Sequence, residues 1–201
     1  MKRQSYPKAL DDALRPFGFE RQGNDWIRVR GDMWECVNRQ SGWLGGVTVN
    51  FDMKDLETEK LFLSIFAASG AIQMPTIGAR IGELIDGYDR WWKKDEPNGP
   101  AEMAKAVVER GLPWFDRVRT LEEQAANWYG RAGALTSRGY HGPSLVGLAL
   151  TLYRMGEREE ACQVLNKPVP RTAIPSSVEK VARVRDWLGC RSADPAPDHT
   201  S

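Results

Sequence analysis

The spacing of apolar residues predicts a short helix near the start of the chain and three strands after it. Tyr6, Leu10 and Leu14 share one helical face, and Pro16 and Gly18 end that helix. Apolar and polar residues then alternate in DWIRVR, in WECVNRQS and in GGVTVNFDM, with Gly and Asp as turn residues between the segments. This alternation predicts an antiparallel meander.

The next apolar segments are less regular. LFLSIFA at 61–67 is apolar on both faces of a strand pattern, so a buried fourth strand is the favoured interpretation and a helical turn the second. A short helix is expected after it, with Thr76 as its cap and Gly87 at its end. Four apolar residues form the inner side of that helix: Ile77, Ile81, Leu84 and Ile85.

A change of composition predicts where the chain divides. KKDEPNGP at 93–100 has the charge, Pro and Gly content of a linker, and the segments beyond it have helical periodicity. We therefore predict an α+β domain at 1–97, a helical region packed on it at 98–190, and a disordered tail at 191–201. The predicted fold class is α+β: an N-terminal antiparallel meander sheet with covering helices, followed by an all-helical C-terminal region.

Charge and hydropathy narrow the possible environments. The chain has 28 Lys and Arg against 27 Asp and Glu, and this balance gives no support for nucleic-acid binding. Its longest apolar stretch, 61–68, is too short to cross a membrane. Cys36, Cys162 and Cys190 form an odd set without CxxC spacing, which favours reduced thiols and a cytoplasmic location.

No motif of catalysis or cofactor binding is present. Two histidines without HxxxH or CxxC spacing predict no metal site, and SGWLGGV at 41–47 lacks the Lys-Ser/Thr of a phosphate-binding loop, so no cofactor is expected. Cys36 with His141 is the one nucleophile and base combination, but a small unreactive thiol on a strand is the favoured interpretation. Arg80 and Glu83, three residues apart, suit a surface ion pair. We predict no catalytic residue.

The strand alternation also predicts two different faces of the sheet. The apolar face, covered by the first helix, would carry Ile27, Val29, Val37, Val47, Val49, Phe51 and Met53. The other face would carry amides, charges and indoles. Hydrogen bonding within the domain, for example to residues 76–92 folded across this face, is the favoured interpretation. The same residues form the candidate binding surface: Trp26, Trp34, Asn38, Gln40, Asn50 and Arg80.

The tryptophan pair in GARIGELIDGYDRWW is expected to be structural. Adjacent residues of an extended strand point to opposite faces, so Trp91 and Trp92 should differ in environment. One of them is predicted to be buried as an anchor, and its neighbour is predicted to be more exposed.

Two resemblances can be stated from these residues. LRPFGFERQGNDWIRV, NRQS, VTVNFDM, ARIGEL and the WW pair resemble an uncharacterised bacterial family, a domain of unknown function, over roughly residues 5–96. This resemblance implies an α+β fold and no particular chemistry. Residues 145–165 resemble a single tetratricopeptide unit, which implies a helical hairpin that packs on the rest of the chain; the positions concerned are Leu145, Leu148, Ala149, Leu152, Gly156, Ala161 and Leu165.

These observations lead to one functional prediction and one alternative. We predict a non-catalytic soluble binding protein whose partner is another protein, in an antitoxin-like, immunity-like or adaptor role. The alternative is a small-ligand binder or enzyme that uses the amide-lined sheet face. An enclosed pocket at that face would favour the alternative, and a flat face would favour a protein partner. The sequence does not define the oligomeric state.

Overall fold

A computed structural model describes residues 4–66, 73–136, 142–168 and 174–190. They belong to two compact units, Met1–Glu59 with Thr76–Glu123, and Lys60–Pro75 with Gln124–Ser201. An antiparallel sheet lies in the first unit, and the described residues of the second unit are mainly helical. The predicted α+β class, with an N-terminal antiparallel sheet followed by helices, is confirmed.

Among the described residues, the sheet has six strands: five follow the order β1-β2-β3-β4-β5, and β6 pairs with β4 beside this path. All pairs are antiparallel. The strands are β1 (Glu20–Gln22), β2 (Asp25–Arg30), β3 (Met33–Ser41), β4 (Gly46–Asp55), β5 (Ile77–Arg80) and β6 (Trp92–Lys93). The predicted three-strand meander corresponds to β2, β3 and β4.

Helices occupy both units. The described helices are α1 (Tyr6–Leu14), α2 (Leu56–Phe66), α3 (Ile81–Ile85), α4 (Gly99–Ala106), α5 (Leu112–Arg117), α6 (Leu121–Thr136), α7 (Gly142–Arg154), α8 (Arg158–Leu165) and α9 (Pro175–Leu188). A π-helical turn, Val107–Gly111, joins α4 to α5. Among the residues described, no helix has the length and apolar composition needed to cross a membrane.

Helix α1 has the predicted bounds because its ends are well marked in the sequence. The Ser5 hydroxyl accepts a hydrogen bond from the Lys8 amide at 3.4 Å, and Pro7 lies in the first turn, where its missing N–H is not needed. Gly18 ends the following 3₁₀ turn at a φ of 80°, a conformation that glycine adopts without strain. The buried face consists of Tyr6, Ala9, Leu10 and Leu14.

The favoured strand at 61–67 is wrong, because residues 56–66 form α2; residue 67 lies outside the described part of the chain. The Asp55 carboxylate accepts a hydrogen bond from the Thr58 amide at 2.8 Å, which starts a helix directly after β4. Phe62, Ile65 and Phe66 are then buried with the i, i+3, i+4 spacing of a helical face.

The helix predicted around 77–85 is shorter than expected. Ile77 lies on strand β5, and Thr76 does not cap a helix, because its hydroxyl donates to Asp52 at 2.8 Å. Helix α3 begins after Arg80, whose amide donates to the Glu83 side chain at 2.9 Å. Gly87 ends this region at a φ of 79°, as predicted.

The apolar face of the sheet is covered at its centre by the helical segment 99–117. The Phe51 ring lies close to Gly111, where an added Cβ would be 2.2 Å from two ring carbons. The rings of Trp114 and Phe115 lie 6.3 and 5.8 Å from the Phe51 ring, between centroids. The first compact unit therefore extends past residue 97. A linker role for 93–100 and a division into 1–97 and 98–190 stay predictions.

The second unit contains the helix pair predicted at 145–165. Helices α7 and α8 are joined by a turn in which Gly156 has a φ of 89°. A Cβ on Gly147 would lie 2.6 Å from the Trp128 ring, so α7 needs glycine where it meets α6. The helical hairpin is present, whereas the tetratricopeptide resemblance stays a prediction.

Two expected flexible segments have different outcomes. The glycine content of residues 130–141 predicts a loop, but α6 extends through the first part of this segment to Thr136. The remainder of that segment, which includes His141, lies outside the described residues. So does the predicted disordered tail at 191–201.

The expectation of three reduced thiols is wrong in this structure. Cys162 of α8 and Cys190, which follows α9, form a disulfide with a Cα–Cα distance of 5.4 Å. The two residues are 28 positions apart, and the packing of α8 against α9 brings them together. Cys36 is a free, buried thiol, so the three cysteines form one disulfide and leave one thiol.

We predict that Phe51→Ala lowers the free energy of unfolding by about 3 to 5 kcal/mol, because the substitution removes a fully buried ring and leaves a cavity. Chemical denaturation measures this loss. Val29→Ala is the control, since Val29 is exposed and should change stability by about 0.5 kcal/mol at most. A loss below about 1 kcal/mol for Phe51→Ala would contradict the packing described here.

We also predict the thiol count. Under denaturing conditions without reductant, alkylation should label Cys36 alone, and with reductant it should label all three cysteines. In the folded protein Cys36 should stay unlabelled, because burial raises the pKa of its thiol to about 12. Mass spectrometry gives the count, and Cys36→Ser is the control. Three labelled cysteines without reductant would contradict the disulfide.

Candidate functional site

Four polar residues form a row across the sheet on the face opposite Phe51. The strand register pairs Asp25 with Asn38, Asn38 with Asn50, and Asn50 with Arg80. Directly paired residues of antiparallel strands lie on the same face, so these side chains are neighbours on β2, β3, β4 and β5. We call these four residues, together with Gln40, the polar row.

The amides of the polar row are hydrogen-bonded to one another. The Asn38 amide donates to Asp25 at 2.5 Å. The Asn50 amide donates to the side-chain oxygens of Asn38 at 3.3 Å and of Gln40 at 3.1 Å. Arg80 Nε donates to the Asn50 oxygen at 3.2 Å. The row is therefore a connected network in which the members supply each other's partners, as the favoured interpretation of this face predicts.

The Arg80 end of the row is held by Asp89 and Trp91. Arg80 Nη1 donates to the two Asp89 carboxylate oxygens at 2.9 and 2.8 Å, and Trp91 Nε1 donates to the same carboxylate at 2.9 Å. The guanidinium carbon lies 5.6 Å from the centroid of the Trp91 ring. The hydrogen bond from Arg80, and next the one from Trp91, lower the pKa of Asp89 from its ordinary value.

Trp26 does not belong to this face, so the predicted orientation of β2 is reversed. Trp26 pairs with Val37, and Ile27 pairs with Cys36. Trp26 is buried, and its Nε1 donates to Asp11 of α1 at 2.8 Å. Ile27 and Val29 consequently share the face of the polar row, while Trp26, Arg28 and Arg30 lie on the covered face.

A buried carboxylate explains how arginines are accommodated on the covered face. Glu35 is fully buried and accepts hydrogen bonds from Arg28 Nε at 2.6 Å and from Arg30 Nη2 at 3.0 Å. Arg30 also pairs with Asp116 of α5 at 2.6 Å. The guanidinium of Arg28 lies over the Phe19 ring at 4.4 Å. Sequence reasoning missed Glu35, because its partners are defined only by the strand register.

Trp34 lies on the same face as the polar row but outside its hydrogen bonds. It pairs across the strands with Lys54, whose Nζ is 4.8 Å from the centroid of the Trp34 ring. Lys54 also forms an ion pair with Glu59. Of the six predicted surface residues, Asn38, Gln40, Asn50 and Arg80 are thus brought into contact, Trp34 shares their face, and Trp26 does not.

Cys36 is the described member of the predicted nucleophile and base pair. Cys36 is buried, and burial, followed by the charges of Asp25 and Asp52, raises the pKa of its thiol to about 12. The nucleophilic thiolate is therefore scarce at neutral pH. His141 lies outside the described residues. Within the described ranges, no group of three or more His, Cys, Asp or Glu side chains is placed to hold a metal ion.

The turn between β3 and β4 exposes two large apolar side chains. Trp43 is 94% exposed and Leu44 is 81% exposed. We call residues 42–45 the hairpin tip. Its backbone is ordered by hydrogen bonds from the Gly42 amide to the Gly46 carbonyl at 2.8 Å, and from the Gly45 amide to the Gly42 carbonyl at 3.0 Å. In the sequence, the glycines of SGWLGGV indicate a turn, but no local signal shows which of its side chains are exposed.

The Trp91 ring packs beside the hairpin tip. An added Cβ would lie 3.0 Å from this ring at Gly42 and 3.1 Å from it at Gly46, so both glycines permit the close approach. A groove of about 840 Å³ lies beside the hairpin tip, and its lining includes Trp43, Leu44, Trp91 and Lys93. The surface next to the exposed pair is therefore concave, and three of its lining residues are tryptophans.

The tryptophan pair has the predicted asymmetry. Trp92 is 2% exposed and pairs with Val47 through β6, whereas Trp91 is 37% exposed. This part of the sequence prediction is confirmed. Trp92 also lines the groove, and its buried Nε1 has no acceptor among the described residues.

The sheet with its covering helices defines an α+β domain. A family model described as a domain of unknown function, DUF4304, matches residues 10–117. The chain belongs to this family, and the predicted membership of an uncharacterised family is confirmed. The bacterial origin stays a prediction. Neither a curated protein nor a solved structure matches the chain.

We predict that Arg80→Gln raises the pKa of Asp89 toward the ordinary value of 3.8, because the charged donor that contributes most to its lowering is removed. Since the folded-state pKa is lowered, the stabilisation from this pair exists above the ordinary carboxyl pKa and is lost as the pH falls through the folded-state value. Carboxyl NMR titration measures the shift.

The internal control is Asp12, whose pKa is lowered chiefly by a hydrogen bond from Lys8 and should not respond to Arg80→Gln. An Asp89 pKa that stays the same in Arg80→Gln would contradict the geometry at this end of the polar row.

Proposed function

We propose that this chain is a non-catalytic binding protein, that its partner is another protein, and that the partner contacts the hairpin tip. The observation that carries the proposal is the exposure of Trp43 and Leu44 on an ordered turn. Large apolar side chains that face water together are uncommon on a protein without a partner, and tryptophan is enriched among residues that dominate binding energy. An antitoxin-like, immunity-like or adaptor role would use such a surface without chemistry.

The polar row is less suited to the alternative of a small-ligand binder or enzyme. Its amides already form hydrogen bonds with one another and with Arg80, so a ligand would have to replace contacts that exist. The groove at the hairpin tip is lined by Gln40 but not by Asn38 or Asn50. A ligand pocket that gathers the amides of the row, which the alternative requires, is not formed by this groove.

We further propose that the partner is met in the cytoplasm. The disulfide between Cys162 and Cys190 would be unusual in a reducing compartment, so the redox state of this pair in protein trapped from cells tests the location.

The double substitution Trp43→Ser with Leu44→Ser is expected to weaken partner binding at least about tenfold while leaving the fold intact, because both side chains are exposed. Affinity capture followed by titration with the captured protein measures the change. Leu63→Ser, a half-exposed apolar residue of α2, is the matched control and should bind like the original chain.

A partner that binds the double variant as tightly as the original chain would contradict the proposal. If Arg80→Gln abolished binding while the double variant retained it, the polar row rather than the hairpin tip would be the contact surface.

A further inference from the structure

A second cavity lies beside the hairpin in the same compact unit and has an unusual charge composition. Its volume is about 550 Å³, and it is lined by residues 4–7 at the start of α1, by hairpin residues, and by Arg39 and Lys94. The lining thus includes two cationic side chains and no carboxylate. The described part of the lining therefore favours an anion over a cation.

Arg39 differs from the other arginines of the sheet. Arg28, Arg30 and Arg80 each form an ion pair with a carboxylate, whereas Arg39 donates only to the side chains of Ser41, at 3.0 Å, and Asn24. No carboxylate of the described residues lies within ion-pair distance of it. A guanidinium has five N–H donors, and only two are used by these contacts.

One of the unused N–H donors of Arg39 is buried. Its Nε is buried and has no acceptor among the described residues. Nη1 and Nη2 each use one N–H for Ser41 and Asn24, and the second N–H of each nitrogen remains for an anion in the cavity that Arg39 lines.

Hydrogen bonds hold the chain segment beside the cavity in place. The Lys94 amide donates to the Gly45 carbonyl at 3.1 Å, which fixes the Lys94 backbone beside the hairpin tip. The Tyr6 hydroxyl donates to the Lys93 carbonyl at 2.7 Å, which ties the same segment to the start of α1. The first turn of a helix adds a positive potential to the wall that residues 4–7 provide.

We propose that this cavity binds the phosphate group of a small organic phosphate. The planar donor fork of Arg39 suits the oxygens of a phosphate, and Lys94 supplies a second positive charge. The volume lies in the range of small-molecule sites and exceeds what a free phosphate ion would fill, so the cavity can hold an organic portion as well. This site does not depend on the protein partner proposed above.

Isothermal titration of the full chain, in a buffer without phosphate, tests the proposal with inorganic phosphate, glycerol 3-phosphate and glycerol as probes. Glycerol 3-phosphate is expected to bind at least as tightly as inorganic phosphate, and glycerol is expected not to bind. Arg39→Gln should raise the Kd for glycerol 3-phosphate at least about tenfold, because it removes charged hydrogen bonds to the phosphate. Lys94→Gln should raise the Kd by a smaller factor.

Arg110→Gln is the matched control: it makes the same charge change at an exposed residue outside the cavity lining, and it should leave the Kd unchanged. Absence of binding by the original chain at millimolar glycerol 3-phosphate would overturn the proposal. Equal binding by all variants would overturn it too, because the anion would then be held elsewhere. Should Arg39→Gln fail to fold, an unchanged Kd in Lys94→Gln would be the contradicting result. Binding of inorganic phosphate but not of glycerol 3-phosphate would exclude an organic phosphate.

Discussion

The Phe51 ring occupies the space that a side chain at Gly111 would need, and the architecture of the first compact unit depends on this contact. The π-helical turn places Gly111 over the middle of β4, and the chain continues directly into the rings of Trp114 and Phe115. Burial of these rings is the main stabilising contribution at the centre of the sheet. The helical segment is thereby held on one face, and that face is closed to a partner.

Polar side chains lie on both the covered face and the opposite face of the sheet. On the covered side, Glu35 neutralises Arg28 and Arg30, and Arg30 reaches Asp116 on α5. On the opposite side, the polar row satisfies its own amides and ends in the ion pair between Arg80 and Asp89. These side chains of the two faces thus make internal contacts, whereas Arg39 keeps donors without an acceptor among the described residues. The hairpin tip is different, because Trp43 and Leu44 extend into water, and this difference is the physical basis of the proposed protein partner.

Sequence reasoning was accurate where neighbouring residues determine the structure. The bounds of α1 follow from Ser5, Pro7 and the apolar spacing, and the contrast between Trp91 and Trp92 follows from strand alternation. It failed at 61–67, where a short apolar run fits a strand as well as a helix and the decisive Asp55 cap lies outside the run. The disulfide was missed because Cys162 and Cys190 meet only through helix packing.

The candidate site was only partly predictable for a related reason. In DWIRVR both alternating sets can be buried, since Trp26 is aromatic and the arginines find a buried carboxylate on β3. The burial of Trp26 and the pairing of Arg28 and Arg30 with Glu35 favour the observed orientation of β2, and this pairing depends on the strand register. The amides Asn38 and Asn50 alternate with apolar residues on long strands, and their shared face was predicted correctly. Exposure of the hairpin tip could not be derived, because turn residues determine where a chain reverses and not what covers the turn.

The most direct test of the central claim is an amide NMR map of the isotopically labelled chain, recorded with and without the captured partner protein. If the partner contacts the hairpin tip, the largest shifts lie at residues 42–45 and 91–95, while the amide side chains of Asn38 and Asn50 keep their positions because their hydrogen bonds are internal. Large shifts of the Asn38 and Asn50 side chains, together with unchanged signals at the hairpin tip, would contradict the account.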